Sequence, residues 1–177
     1  MYSIIIAVAA ALLTGFATGR DLGTAWGIVC GVAAFLIAQL IIMLVLRKKL
    51  NKLQLGMQQT MQAAQVRADE MAANTIYSHT RPDGRKYNTV TNCPYMAENI
   101  HRVADWTITD CTLAELLIAD WSASTGHMKN MTNSQLSEIG IGLARGVNDN
   151  GDECWYCVQL FLRDGYHITW VDAPAKG

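Results

Sequence analysis

From Thr24 to Leu46 the sequence reads TAWGIVCGVAAFLIAQLIIMLVL, with no charged side chain and only Thr24 and Gln39 clearly polar. At the helical rise this run spans roughly 30 Å, the thickness of a bilayer core. A core helix of a soluble protein rarely stays apolar on every face for that length, so a transmembrane helix is expected. The hydrophobic share of 51% is ordinary for a globular chain, but most of the excess sits before Arg47. The remainder of the chain is polar and mixed, so its two parts suit two different solvents.

An earlier run, Ser3 to Gly19, is weaker because Thr14, Gly15, Thr18 and Gly19 dilute its end. It reads best as the first arm of a helical hairpin with Arg20, Asp21 and Gly23 as the turn. A signal peptide would carry a basic start and a small-x-small cleavage site, and neither is present. The expected anchor is therefore 1–46, with spans at about 3–19 and 24–46. Directly after it come Arg47, Lys48, Lys49 and Lys52. By the positive-inside rule this cluster, 47–52, belongs on the cytoplasmic side. Net charge is −1, from 14 basic and 15 acidic residues, so no nucleic-acid partner is expected.

Past the basic cluster, Leu46, Leu50, Leu53, Met57, Met61, Ala64, Ala68 and Met71 recur at steps of three and four, one helical stripe. Residues 47–62 form a juxtamembrane helix in this reading, and 63–177 a separate domain. The stripe either packs on that domain or pairs with a second copy as a short coiled coil, making a homodimer. Its richness in Met and Ala favours the first.

Within the domain, YSHTRPDGRKY is a loop, with Pro82, Asp83 and Gly84 as turn residues. Thr112 to Trp121 is a helix opened by a capping box, Thr112 with Glu115. Glu138 to Ala144 and Cys154 to Leu162 are strands. The second is apolar on both faces, which predicts a sheet covered on both sides. Asp164-Gly165 predicts a hairpin into a last strand, Tyr166 to Val171.

The segments RADEMAANTIYSHTRPDGR (67–85), AENI (97–100), ADWSASTGHMKNM (119–131), EIGIGLA (138–144) and WYCVQLF (155–161) occur in an order that resembles the CAP superfamily, its bacterial branch in particular. That superfamily groups cysteine-rich secretory proteins, antigen 5 and pathogenesis-related-1. The resemblance implies an α+β fold, a CAP-like α-β-α sandwich with a small antiparallel sheet and a shallow cleft, here preceded by one or two transmembrane helices. Two departures stand out. The family's first helix, with its own Asn/Arg/Leu pattern upstream of RADEMA, is not recognisable, and the membrane-proximal helix stands in for it. Ala97 replaces the family's usual Gly.

The resemblance also implies a cleft lined by two His and two Glu that can hold a divalent metal. Carried over residue by residue, it gives His79, Glu98 and His127, with Ser124 where the second Glu would be. Two imidazoles and a carboxylate suffice for zinc with a water in the fourth position, and such a water can be activated for hydrolysis. The alternative is that both imidazoles only hydrogen-bond and brace the loops. Asn130 and Glu138 match the family pattern too. Asn130 is expected to bond loop backbone, and Glu138 to close the cleft edge. Trp121, Trp155 and Phe161 read as core aromatics.

Cys154 and Cys157 make a CxxC, but on a strand residues three apart point to opposite faces, which argues against a zinc or redox pair. Cys93 and Cys111 flank AENI and are a candidate disulfide, requiring an oxidising compartment. The function expected is a membrane-tethered, non-catalytic binding module for a lipid, peptide or surface partner, with a metal-dependent hydrolase as the alternative. The resemblance implies an extracytoplasmic domain, against the bias of the 47–52 cluster.

Overall fold

The computed structural model describes residues 22–163 and 168–173. The chain divides into two units, 1–51 and 52–177. Helix α1, Leu22–Asn74, is 53 residues long and uninterrupted. The stretch 47–62 and the domain's first helix are thus one element. In the first unit the helix carries Ile37, Ile41 and Met43 more than half exposed. A soluble core helix would bury them. It is the one helix among the described residues long and apolar enough to cross a membrane, a candidate anchor or signal. The other expected span, 3–19, lies outside the described residues, as does the turn at Asp164-Gly165.

In the second unit the order is β1 (Met96–Ala104), α2 (Leu113–Ala123), α3 (Thr125–Met131), β2 (Glu138–Val147) and β3 (Glu153–Leu162). Short 3-10 turns at Tyr87–Val90 and Asp105–Thr107 flank β1. The capping box at the start of α2 forms as expected, Thr112 accepting from the Glu115 amide and Glu115 closing back on Thr112. Strand β1 was not legible as a strand, because Glu98, His101 and Arg102 break its apolar pattern.

The sheet is antiparallel in the order β1-β3-β2. Its central strand explains the doubly apolar pattern. Tyr156, Val158, Leu160 and Leu162 pack with Ala63, Ala64, Ala68 and Met71 of α1. On the opposite face Cys157 joins Val103 with Leu117 and Trp121 of α2. Cys154 and Cys157 therefore serve two different cores, as the pleat requires. Trp121 and Phe161 are buried, and Trp155 is half-buried against the α2-side cluster.

The glycines of β2 set the distance to α1. A Cβ on Gly140 would lie 2.3 Å from the Thr60 carbonyl oxygen, and one on Gly142 2.1 Å from that of Ala64. Helix and strand backbones touch here, which only glycine permits. Both sheet edges are closed by side chains rather than by further strands. On β2, Gln65 donates to the Leu143 carbonyl at 2.8 Å and accepts from its amide at 3.2 Å. On β1, the Tyr87 and Tyr77 hydroxyls donate to the carbonyls of Met96 and Ile100, and Asn130 to that of Glu98. An open edge invites pairing with another chain, and these bonds occupy it.

The expected last strand, Tyr166 to Val171, is a correction. Among its described residues only Val171 makes a bridge, to Thr91. Strand β3 is already paired on both sides, so no place beside it remains. The segment instead lies along the 90–92 loop, with the Thr169 amide on Asn92 Oδ1 and the Asp172 amide on the Val90 carbonyl.

Candidate functional site

The site begins with an arginine inside the helix stripe. Arg67 lies between Ala64, Ala68 and Met71 and is fully buried. An arginine in that position needs a partner at every nitrogen, since desolvating an unpaired charge costs several kcal/mol, of order 3–5 when a buried pair is broken. It has them. Nε donates to Glu98 Oε1 at 2.8 Å, Nη1 to Glu70 Oε2 at 2.8 Å, and Nη2 to the Ser78 carbonyl at 2.9 Å. Glu70 also accepts from Arg81, which reaches Asp172 Oδ2 at 2.8 Å and the Thr89 carbonyl at 3.1 Å. Arg85 closes the chain of charges on Asp172. Helix α1, the 78–89 loop and the chain's last described segment are thereby locked together.

The second Glu98 oxygen takes His79 Nδ1 at 2.8 Å. Because the carboxylate accepts, Nδ1 carries the proton, and Nε2 is the nitrogen turned outward on a ring whose side chain is 55% exposed. His79 and Glu98 stand in the wall of a cleft of about 520 Å³, whose lining also includes Tyr87, Asn130, Gln135 and Arg163. Burial, and then the Glu98 charge, push the Tyr87 phenol up, so it remains a donor to Met96. At the far end the Arg163 guanidinium lies 4.3 Å from the Tyr95 ring centroid and bonds Gln135 Oε1.

His127 is not in this lining. It sits on α3, where its carbonyl accepts from Asn99 Nδ2 at 3.2 Å. Asn99 neighbours Glu98 on β1 and so faces the other side of the sheet. Burial, with the charges of His101 and His79 adding to it, holds the His127 ring below the usual imidazole range. Its Nδ1 is buried without a partner among the described residues.

Of the expected ligand set, the structure brings His79 and Glu98 together and leaves His127 outside the lining of their cleft. Both Glu98 oxygens are engaged, and among the described residues no three His, Cys, Asp or Glu side chains could share a metal ion. The donors do not fit a zinc site. Ser124 is the N-cap of α3, its Oγ accepting from the His127 amide at 3.4 Å. Asn130 bonds the strand β1 rather than a loop, reaching Asn99 Oδ1 at 2.8 Å and the Glu98 carbonyl at 3.4 Å. Glu138 does not close the cleft edge. It lies against α1 and accepts from the Thr60 hydroxyl at 3.3 Å. Cys93 and Cys111 are free thiols, the first in the core against α1 and the second exposed, so the candidate disulfide is not formed.

A model of the cysteine-rich secretory protein family matches residues 46–161, about two thirds of the chain. The chain belongs to that family. Its members are generally non-catalytic binding modules. The match begins within α1, so the helix that leaves the apolar run also serves as the CAP domain's first helix. Among solved structures, an outer surface protein from Borrelia burgdorferi is similar, at 18% identity and a TM-score of 0.39, over 60% of this chain and 74% of that one. None of the curated proteins compared with the chain matches it.

Sequence reasoning missed Arg67, Glu70 and Arg81 as one buried network, and it missed Tyr87, Tyr95, Gln135 and Arg163. For Arg67 a signal existed: a charge at the i+3 position from Ala64 and i−4 from Met71 lies on the buried stripe. For Arg163 no local pattern pointed to a cleft.

Proposed function

We propose that the protein is a membrane-anchored CAP-domain binding module whose cleft takes part of a lipid, peptide or surface partner. The observation that carries this reading is the engagement of Glu98. With one oxygen on Arg67, the other on His79 and its side chain removed from solvent, the carboxylate shapes the wall rather than standing free toward water. What remains accessible is a mixed polar and aromatic cleft of the size that binding sites commonly have, about 300–1,000 Å³. The uncharged run ending at Leu46 supports a membrane anchor. In this reading the domain lies outside the cytoplasm, a side supported by CAP domains often being extracellular and opposed by the bias of Arg47, Lys48, Lys49 and Lys52.

The test of the binding reading is a screen of small neutral and charged fragments against the full chain in non-ionic detergent, followed by side-chain NMR. Saturable shifts at Asn130 and Leu136 are expected. If no fragment moves the cleft resonances, the module reading fails. Protease treatment of intact cells tests the placement: a digested domain is expected, and a protected one would put it in the cytoplasm.

A further inference from the structure

The polar groups of the cleft are not distributed evenly, and the imbalance carries information about what the cleft accepts. At one end stand His79 and Glu98, and the Glu98 charge is answered by Arg67 behind the wall. At the other end stands Arg163. Among the described residues its side-chain partners are neutral, the Tyr95 ring and Gln135 Oε1. The Arg163 backbone amide is fixed on the Tyr95 carbonyl at 3.1 Å, which holds the residue at the cleft mouth. Gln135 gives its carbonyl oxygen to Arg163, which leaves its NH2 as a donor. Asn133 gives Oδ1 to the Gln135 amide at 3.0 Å, and so its NH2 too is left as a donor. Among the described residues Gln135 Oε1 and Asn133 Oδ1 are both used within the protein, while their NH2 groups and the Arg163 charge are left for a ligand.

We infer that the Arg163 end of the cleft is an oxyanion-binding subsite, taking a phosphate or carboxylate group of the ligand between the Arg163 guanidinium and the amides of Gln135 and Asn133. The guanidinium fork matches such a group in two parallel hydrogen bonds, and stacking on Tyr95 holds the fork in one plane. Its Gln135 contact uses one Nη2 proton, so the fork made by the second Nη2 proton with its neighbouring N–H remains for the ligand. The inference rests on the binding-module reading and deepens it. Its charged residue, Arg163, comes after the matched residues 46–161, whereas Gln135 and Asn133 lie within them.

The experiment uses the full chain in non-ionic detergent at constant ionic strength, with sodium phosphate and sodium acetate as probes and trimethyl phosphate as the neutral counterpart. The readouts are the Arg163 Nε–H and Gln135 NH2 resonances. Saturable shifts with both anions are expected, much weaker ones with trimethyl phosphate, and weakening as salt is raised. Arg163→Gln should lower anion affinity at least about tenfold, while Arg145→Gln, an exposed arginine elsewhere, leaves it unchanged. Gln135→Ala, with a loss of a few fold, provides a second variant should Arg163→Gln perturb folding. Nanodiscs of phosphatidylcholine with and without phosphatidic acid separate the sources: competition by phosphatidic acid assigns a lipid headgroup, and phosphate binding without it assigns a soluble ligand. Anion shifts absent, or unchanged in Arg163→Gln and Gln135→Ala, overturn the inference. Neutral fragments that still saturate Asn130 and Leu136 would leave the binding module standing, whereas silence from every probe ends both.

Discussion

Arg67 and Glu98 lie 31 residues apart in the chain and meet at 2.8 Å with both side chains wholly removed from solvent. The pair ties α1 to β1 at the wall of the cleft. It also converts Glu98, the one carboxylate of the expected ligand set, into a structural group.

Breaking the pair from one side leaves a buried charge unanswered. Arg67→Ala and Glu98→Ala should each destabilise the domain by about 3–5 kcal/mol in denaturant unfolding. Replacing both partners together, Arg67→Met with Glu98→Leu, should cost clearly less than the sum of the single changes. Additive losses would mean that the two side chains do not depend on one another.

The glycine contacts give a sharp steric contrast. Gly142→Ala sets a Cβ 2.1 Å from the Ala64 carbonyl oxygen and should destabilise by about 1–3 kcal/mol or more as α1 is pushed away. Gly126, inside α3, has its nearest neighbour atom at 3.9 Å. Gly126→Ala should therefore be neutral or stabilise by up to about 1 kcal/mol through helix propensity. Unfolding midpoints of the two variants, measured side by side, check the comparison.

Two of the groups with displaced pKa values give separable parts of the acid response. Burial holds the folded His127 pKa below the unfolded value of about 6.5, so below that pH the unfolded chain binds the additional proton. Stability should fall as pH drops through and below that value, and His127→Gln should flatten this part of the profile. The Arg85 and Arg81 hydrogen bonds depress the Asp172 pKa. Its contribution is present above the unfolded value of about 3.9 and is lost as pH falls through the folded one. Asp172→Asn should reduce that second, more acidic loss, to which the likewise depressed Asp83 and Glu115 carboxyls also contribute. Melting temperatures across the pH range, for the parent chain and both variants, provide the test.

The thiols should sort by burial. Cys111 is exposed, whereas Cys93, Cys154 and Cys157 are buried. Burial pushes the Cys157 thiol up to about 12, and it raises that of Cys154 as well. Brief alkylation of the native domain near neutral pH should therefore label Cys111 and spare the other three until denaturant is added. Peptide mass mapping reads the result. Fast native labelling of Cys154 or Cys157 would revive a reactive CxxC.

Much of the fold was written in short-range pattern. The uncharged run ending at Leu46, the capping box at Thr112 and the doubly apolar strand Cys154 to Leu162 each arise from residues within a few positions of one another. The opposite facing of Cys154 and Cys157 was equally legible, because a pleat has a period of two. The family motifs reached further, since their order along the chain carries the topology. By contrast β1 hid behind Glu98, His101 and Arg102, charges and imidazoles that a strand tolerates only when distant partners answer them.

Residue order alone was enough to establish that one helix is apolar enough for a membrane, that a sheet covered on two sides is required, and that the domain is of the CAP type. The roles of the polar residues in the family motifs emerged only from the packing of distant segments. His79 and Glu98 meet, while His127 stays outside the lining of their cleft, and Glu138 turns to α1. A residue's type states which bonds it is able to make. Which of them it makes depends on partners far off in the chain, such as Arg67 for Glu98 or Asp172 for Arg81, because burying a charge is tolerable only where the fold brings its counter-charge to it.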